Sequence, residues 1–448
     1  MSLTDEVVAR IDRDKLVQFA LEICNIDSAA PFEAEVAEHL YQWLKREGFI
    51  ARRVGLLSDR FNVMGTLPGT GGGYSLIFNS HMDTAVPRQA DYVHRDPAND
   101  VYHKAWVEGD LLVGEGICND KGPMAAFLIA AKAIKDSGHR LKGDLLVSSV
   151  VAETSREPCD DLPGVVRESK ELGTRFLVTH GGVADYALVA EGTGFGLVWV
   201  EAGKFWYKVT LTSDQPPFYT PYLPDRTTLV ASPSMLVAGA AAIAAIEKWA
   251  ADYQKNNVYK SPGGTIIPKV QVGAIRSGDP YRPNMAPQVC YLYLDVRSVP
   301  AQDPLVTKEQ ISRLLSDIGL NNTVELYHFR PGYEAKNIDR LADAVRRSHR
   351  ANFGGEPPDP YVETSSMWRD LNVFNELGIP ALTYGPRSTS HSYKRALTIE
   401  SLYQAACVYG RIAVDLCSQE KVSEHPECKS VKGQKRKTTS RKSQPASP

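Results

Sequence analysis

Cysteine is scarce in this 448-residue chain: seven residues, an odd number, lie scattered at 24, 118, 159, 290, 407, 417 and 428 with no CxxC pair. Neither a disulfide framework nor a thiolate zinc site is indicated. No run of about 18 apolar residues occurs, and the charged, amphipathic start MSLTDEVVARIDRDKLVQF has no apolar stretch of the kind an export signal needs. A cytoplasmic protein without membrane spans is expected. An excess of positive charge is also missing from the body of the chain. Lys and Arg total 51 against 53 Asp and Glu, but residues 421–448 hold eight basic and two acidic residues, leaving 43 against 51 elsewhere. Binding to a phosphate backbone needs clustered Lys and Arg, so no nucleic-acid partner is expected. The tail over 419–448, poor in apolar residues and ending KGQKRKTTSRKSQPASP, reads as a disordered basic end. No internal repeat is visible.

What remains is an ordinary globular composition, 43% hydrophobic and 23% charged, long enough for two or three domains. Apolar residues at helical spacing, Leu16 to Ile23 and Val36 to Leu44, predict two amphipathic helices before Gly48. Short apolar runs then follow at Phe61–Leu67, Tyr74–Phe78, Leu145–Val151 and Tyr186–Val189, with Gly122–Ile134 between them as a buried helix. That alternation is α/β, a helix-flanked mixed sheet. From Gly203 the pattern changes. KFWYKVTLT alternates, Leu229–Trp249 is an Ala-rich helix, VQVGAI and VCYLYLDVRSV are strands, and a helix near 307–318 precedes VELYHF. This β-α-β-β-α-β order is a ferredoxin-like split βαβ unit. The expected organisation is therefore a catalytic α/β domain built from 1–202 and 329–418, interrupted by a smaller α+β domain over 203–328. A strand at Pro380–Tyr384 and a helix at Ile399–Cys417 complete the outer domain.

Five places carry chemistry. In LIFNSHMDTAVP, His81 and Asp83 follow an apolar strand at spacing i, i+2, where a carboxylate can orient an imidazole and raise its basicity. In GEGICNDKGPMAAF, Asp120 stands at the start of the buried helix; the plainer reading is a helix N-cap. Glu153 and Glu191 each sit just past the carboxyl end of an apolar strand, where open α/β sheets put their sites, and His391 follows the last strand and a Gly-Pro. Two His and three acids of this kind suit a divalent transition metal, Zn, Mn or Co, with a position open to water.

The order and context of these segments resemble the metallopeptidase family of aminoacylases, acetylornithine deacetylase, succinyl-diaminopimelate desuccinylase and carboxypeptidase G, over about residues 10–417. The resemblance implies a C–N bond hydrolase for a small, carboxylate-bearing substrate such as an amide, an N-acyl amino acid or a dipeptide. His81 and Glu191 would bind one metal, Asp120 would bridge, and His391 would bind a second; Asp83 would support His81, and Glu153 would be the general base. Asn284 to Pro287 and Asp295 to Arg297 match family segments of the inserted domain, which makes Asn284 and Arg297 candidates for substrate binding, and homodimerisation through that domain is implied.

The sequence also departs from the family. The base is followed by Thr154 where a second acid is usual, so a single ion per subunit, tightly or loosely held, is expected; Glu157 and Cys159 are poorly placed to compensate. No His occurs between His180 and His328, where the family supplies an oxyanion donor, and Tyr219 and Tyr222 are the substitutes at hand. Loss of both features also suits an aminohydrolase that removes an amine from an electron-poor aromatic ring such as 5-nitroanthranilate. A third reading is an inactive binding or assembly member, against which Glu153 stands.

Overall fold

The computed structural model describes residues 2–84, 104–154, 170–225, 228–389 and 396–422. The expected tail lies outside them, apart from its first residues. Helices Arg13–Cys24 and Ala34–Arg46 form where apolar spacing placed them; Asp12 caps the first by accepting from the N–H groups of Asp14 (3.0 Å) and Lys15 (3.1 Å). A shorter helix, Leu3–Ala9, precedes them behind a Ser2–Asp5 capping box.

The main sheet has six strands in the order Ile50–Leu57, Arg60–Leu67, Leu145–Val150, Leu76–His81, Tyr186–Val189, Ala381–Thr383. The first two pairings are antiparallel and the rest parallel, so the sheet is mixed. Leu76–His81 and Leu145–Val150 are buried along their whole lengths, as strands covered on both faces must be. The register sets His81 beside Val150 and Asn79 beside Val189. Consequently the residues that follow all three strands, Asp83, Glu153 and Glu191, leave the sheet at one edge. Helices Lys121–Asp136 and Ile399–Cys417 belong to the same apolar core, in which Phe78 stacks on Phe127 at 5.6 Å between ring centroids.

A second sheet runs Val270–Ser277, Val289–Ser298, Gly203–Thr212, Asn322–Arg330, all antiparallel, with helices Met235–Asn256 and Pro304–Asp317 on its apolar face. This is the ferredoxin-like arrangement inserted into an α/β fold. The Ala-rich helix begins at Met235, not Leu229, because Ser232 precedes Pro233 and a residue before proline disfavours helical backbone. Two further features carried no legible signal. Ile50–Leu57 is an edge strand burying only Val54, and the small sheet Ser388–Thr389, Ala396–Thr398, Leu111–Gly114, Ala105–Glu108 is assembled from pieces of two to four residues. Among the described residues no helix is long and apolar enough to cross a membrane.

Candidate functional site

At the shared edge of the parallel strands, His81, Asp120 and Glu191 offer ligand atoms that all lie within 4.8 Å of one another, and all three residues are buried. His81 ends its strand with Nδ1 donating to the main-chain oxygen of Asp83 at 2.8 Å, and with the Asp83 carboxylate 3.6 Å from the same nitrogen. Its Nε2 is turned to the side-chain oxygen of Asn119 at 3.1 Å. Asp83 in turn accepts from the main-chain N–H groups of Glu153 (3.0 Å) and Thr154 (2.6 Å) and from the Thr154 hydroxyl. It therefore ties the loop after one strand to the loop after its neighbour. Burial opposes charge on His81, but the hydrogen bond and charge of Asp83, with Asp120 and Glu153, hold it well above its ordinary value. Burial likewise pushes Asp83 up, and His81 and Thr154 overcome it and bring that carboxyl well down.

Asp120 does not cap the helix that follows it: its side chain makes no capping bond, one oxygen accepts from Ser80 Oγ at 2.6 Å, and the buried Oδ1 has no partner. Burial first, then the charge of Glu191, raises it well above the usual carboxylate range. Burial raises Glu191 too, although Arg369 opposes the shift. Two buried acids held away from ionisation, beside an imidazole and around an orphaned oxygen, are what a cation would relieve. One imidazole and two carboxylates suit a divalent transition ion, so the residues present fit one.

Glu153 follows Ala152, whose φ of +67° is a left-handed conformation that a non-glycine residue rarely adopts. The turn is held from behind. The N–H of Ala152 donates to Glu33 at 3.2 Å, and Glu33 is gripped by Arg60 through two contacts of 2.9 and 2.8 Å. The Glu153 carboxylate, 9% exposed with its residue, receives Lys170 Nζ at 2.7 Å. Thr154 spends its hydroxyl on Asp83, directed away from any role as a carboxylate substitute.

The structure thus brings together His81, Asp83, Asp120, Glu153 and Glu191. His391, Glu157 and Cys159 lie outside the described residues. Asn284, Tyr219 and Tyr222 stand at the surface of the inserted unit. Asn284 is exposed, its main chain accepts from Thr220, and the two tyrosines, 45% and 75% exposed, pair with each other at 6.2 Å between ring centroids. Arg297 pairs with Asp295 at 2.9 Å on the inserted sheet.

Several residues here were not legible beforehand. Arg369, buried, contacts Glu191 through Nε and Glu201 through Nη1 at 2.9 Å. Asp370 accepts from Thr174 Oγ1 at 2.6 Å and from Asn79 at 3.2 Å, and burial with the Glu153 charge pushes it up to about 6. In the sequence these are single charges in an unpatterned stretch, MWRDLN, which reads as a solvated turn. The one available hint was Glu201, an acid inside the apolar run LVWVEAG.

The family model for peptidase family M20/M25/M40 matches residues 77–415. N-formyl-4-amino-5-aminomethyl-2-methylpyrimidine deformylase of Bacillus subtilis (strain 168) is 25% identical over 444 residues, covering 91% of this chain and 96% of that protein. Among solved structures, a tripeptidase from Staphylococcus aureus aligns with a TM-score of 0.67 at 19% identity, over 92% of this chain and 100% of its own. A dinuclear metal-binding peptidase from Bacillus subtilis aligns at 0.60 and 14% identity, over 90% and 97%. These two likenesses establish the fold.

Proposed function

The chain belongs to the M20/M25/M40 peptidase family, hydrolases of amide and peptide C–N bonds, and from that premise we propose that it cleaves a small, carboxylate-bearing N-acyl amine with Glu153 as general base. The observation that carries this reading is the buried His81, Asp120, Glu191 group with the Glu153 loop tied to it through Asp83. His81, Asp120 and Glu191 would hold one divalent ion, Zn, Mn or Co, with His391 available to a second. Such an ion, when bound, lowers the pKa of water and polarises the substrate. Glu153 would take the proton of the attacking water and pass it to the leaving nitrogen. Asp83 would fix the orientation of His81, and the Glu33–Arg60 pair would hold the turn on which Glu153 stands. Similarity to a deformylase over 91% of the chain favours a short acyl group on a small amine.

A second reading rests on Thr154. Its hydroxyl is engaged by Asp83, and Tyr219 and Tyr222, the substitutes at hand for an oxyanion donor, are 45% and 75% exposed. This arrangement suits removal of an amine from an electron-poor ring such as 5-nitroanthranilate, where charge spreads into the ring instead of onto an amide oxygen.

Protein loaded with Mn or Zn, assayed on N-formyl amines, N-acyl amino acids, dipeptides and 5-nitroanthranilate, separates these. Release of the acyl acid supports the amide reading; ammonia from the aromatic amine replaces it with the second. Silence on every substrate in both metals leaves the inactive binding member. For the ion count, Thr154→Glu is expected to raise metal per chain from about one towards two by elemental analysis, since it adds the missing carboxylate. Unchanged stoichiometry would show that ligand number does not limit the second position. Cytoplasmic location and a homodimer through the inserted domain complete the proposal. The dimer draws support from the edge strand Val270–Ser277, with Ile275 44% and Leu236 46% exposed nearby.

A further inference from the structure

The chain enters the inserted unit along Val200–Glu201 and leaves it along Tyr333–Glu334, and these two passages pair antiparallel, Glu201 opposite Tyr333 and Val200 opposite Glu334. Asn372 straps them together from the outer domain, accepting from the Tyr333 N–H at 2.9 Å and donating to the Ala202 carbonyl at 3.1 Å. Val200, Ala202 and Ile266 are buried at this junction as a small apolar cluster, with Tyr259 and Val299 packed against it.

Beside the junction lies a cavity of about 530 Å³. Small molecules occupy pockets of roughly 300–1,000 Å³, so it is large enough for one. Its wall is formed by the returning passage over 331–336, the strand end and turn over 298–302, Phe329, and Tyr259 of the short hairpin. Neither the His81, Asp120, Glu191 group nor the Glu153 turn contributes to that wall, which sets the cavity apart from the site above.

The chemistry of the wall is specific. Phe329 rests against Phe205 at 5.6 Å between ring centroids, yet 49% of the residue is exposed, an apolar ring left half uncovered in a concave place. Tyr259 and Tyr333 add two more rings. Among them is Glu334, half-buried, which accepts from the Tyr259 hydroxyl at 2.5 Å and has no cation paired with it among the described residues. Its hydrogen bond pushes the Tyr259 hydroxyl up. Ser298, fully buried, has a hydroxyl without a partner. A carboxylate among aromatic rings attracts a cation that carries apolar bulk, because the ring faces are negative and the rings keep water from the pair. Lys336, also part of the wall, is exposed and does not pair with Glu334. An anion held there would lie in water and leave the rings bare, so the occupant the cavity favours is cationic.

We propose that this cavity binds a primary amine with an apolar body the size of an aromatic ring, its ammonium on Glu334 and its body against Phe329. The site goes beyond the hydrolase reading and stands whether or not that reading holds. An occupant there touches both the inserted sheet and the returning passage, and so stabilises the junction by mass action.

Isothermal titration of the metal-loaded protein with phenethylamine tests the site, with 2-phenylethanol as the neutral and 3-phenylpropionate as the anionic molecule of similar shape. Phenethylamine is expected to bind, and the other two on the order of ten-fold more weakly or not at all, as loss of a charge-assisted hydrogen bond implies. Glu334→Gln keeps an acceptor for the Tyr259 hydroxyl and should bring phenethylamine down to the level of the alcohol. A thermal melt of that variant without ligand, expected to match the parent, shows that the fold is kept. Phe329→Ala, at a half-exposed position where the fold has little at stake, should weaken amine and alcohol alike and serves should Glu334→Gln not fold. Saturating phenethylamine should also raise the melting temperature of the parent and leave that of Glu334→Gln unmoved. Absence of phenethylamine binding, binding indifferent to both variants, or equal binding of 3-phenylpropionate overturns the site.

Discussion

Glu153→Gln should lower turnover by about 100- to 10,000-fold, the usual contribution of a positioned general base, while leaving metal content and the fold intact. Glutamine keeps the length and planarity of the side chain, and its carbonyl oxygen can still accept from Lys170, which sits 2.7 Å from the carboxylate in the native protein. What it removes is the capacity to take a proton. The ion-binding group is His81, Asp120 and Glu191, and none of these depends on the Glu153 side chain for a hydrogen bond. The loop itself is anchored through main-chain atoms, the N–H of Glu153 to Asp83 and that of Ala152 to Glu33. Steady-state rates, elemental analysis and a thermal melt on the same preparation therefore separate chemistry from assembly. A rate within a few fold of the parent would remove Glu153 from the role of base. Loss of the metal together with the rate would assign it to binding the ion instead.

How far such a site is legible in the sequence depends on whether its residues sit in patterned surroundings. His81 ends an apolar strand and Glu153 and Glu191 follow two others, and the continuous apolar runs that mark those strands also mark where each chain segment leaves the sheet. Parallel pairing then brings the three exits to one edge, so three separate segments converge without any of them being adjacent in sequence. The inserted unit was legible for the same reason, since alternation in KFWYKVTLT and VCYLYLDVRSV tracks a half-buried face. Asp120 was ambiguous because an acid at a helix start is favoured as a cap. Its side chain turns instead to Ser80, a partner 40 residues away that no local pattern indicates. The supporting charges were hidden altogether. Nothing local distinguishes Arg369 or Lys170 from a solvated residue; their burial is a consequence of packing between segments more than 150 residues apart, as in the contact from Arg369 to Glu201.

Arg369→Met is expected to be the most destabilising change at the site, costing about 3–5 kcal/mol near pH 8, the usual consequence of leaving buried acids without their cation. Methionine fills much of the same volume, so the loss is electrostatic and not a cavity. Arg369 pairs with both Glu191 and Glu201, 6% and 0% exposed, and it also donates to the Thr364 carbonyl at 2.8 Å. The effect should depend on pH in a definite direction. Burial pushes Glu201 from its ordinary 4.5 up to about 8 even with Arg369 beside it, and one of its oxygens is buried without a partner. Between those two values the folded chain binds a proton that the unfolded chain has released, so stability falls as pH rises through the window. Removing Arg369 strengthens that dependence, because Glu191 and Glu201 then both favour the protonated form. The difference in melting temperature between parent and variant should therefore be large at pH 8 and shrink at pH 5. Metal acts on the same balance. An ion held by His81, Asp120 and Glu191 restores positive charge next to Glu191 and stabilises the fold by mass action, so Mn or Zn should narrow the gap and chelator should widen it. A gap that is the same at both pH values and indifferent to metal would mean that Arg369 contributes packing alone, and that the charge of Glu191 is set without it.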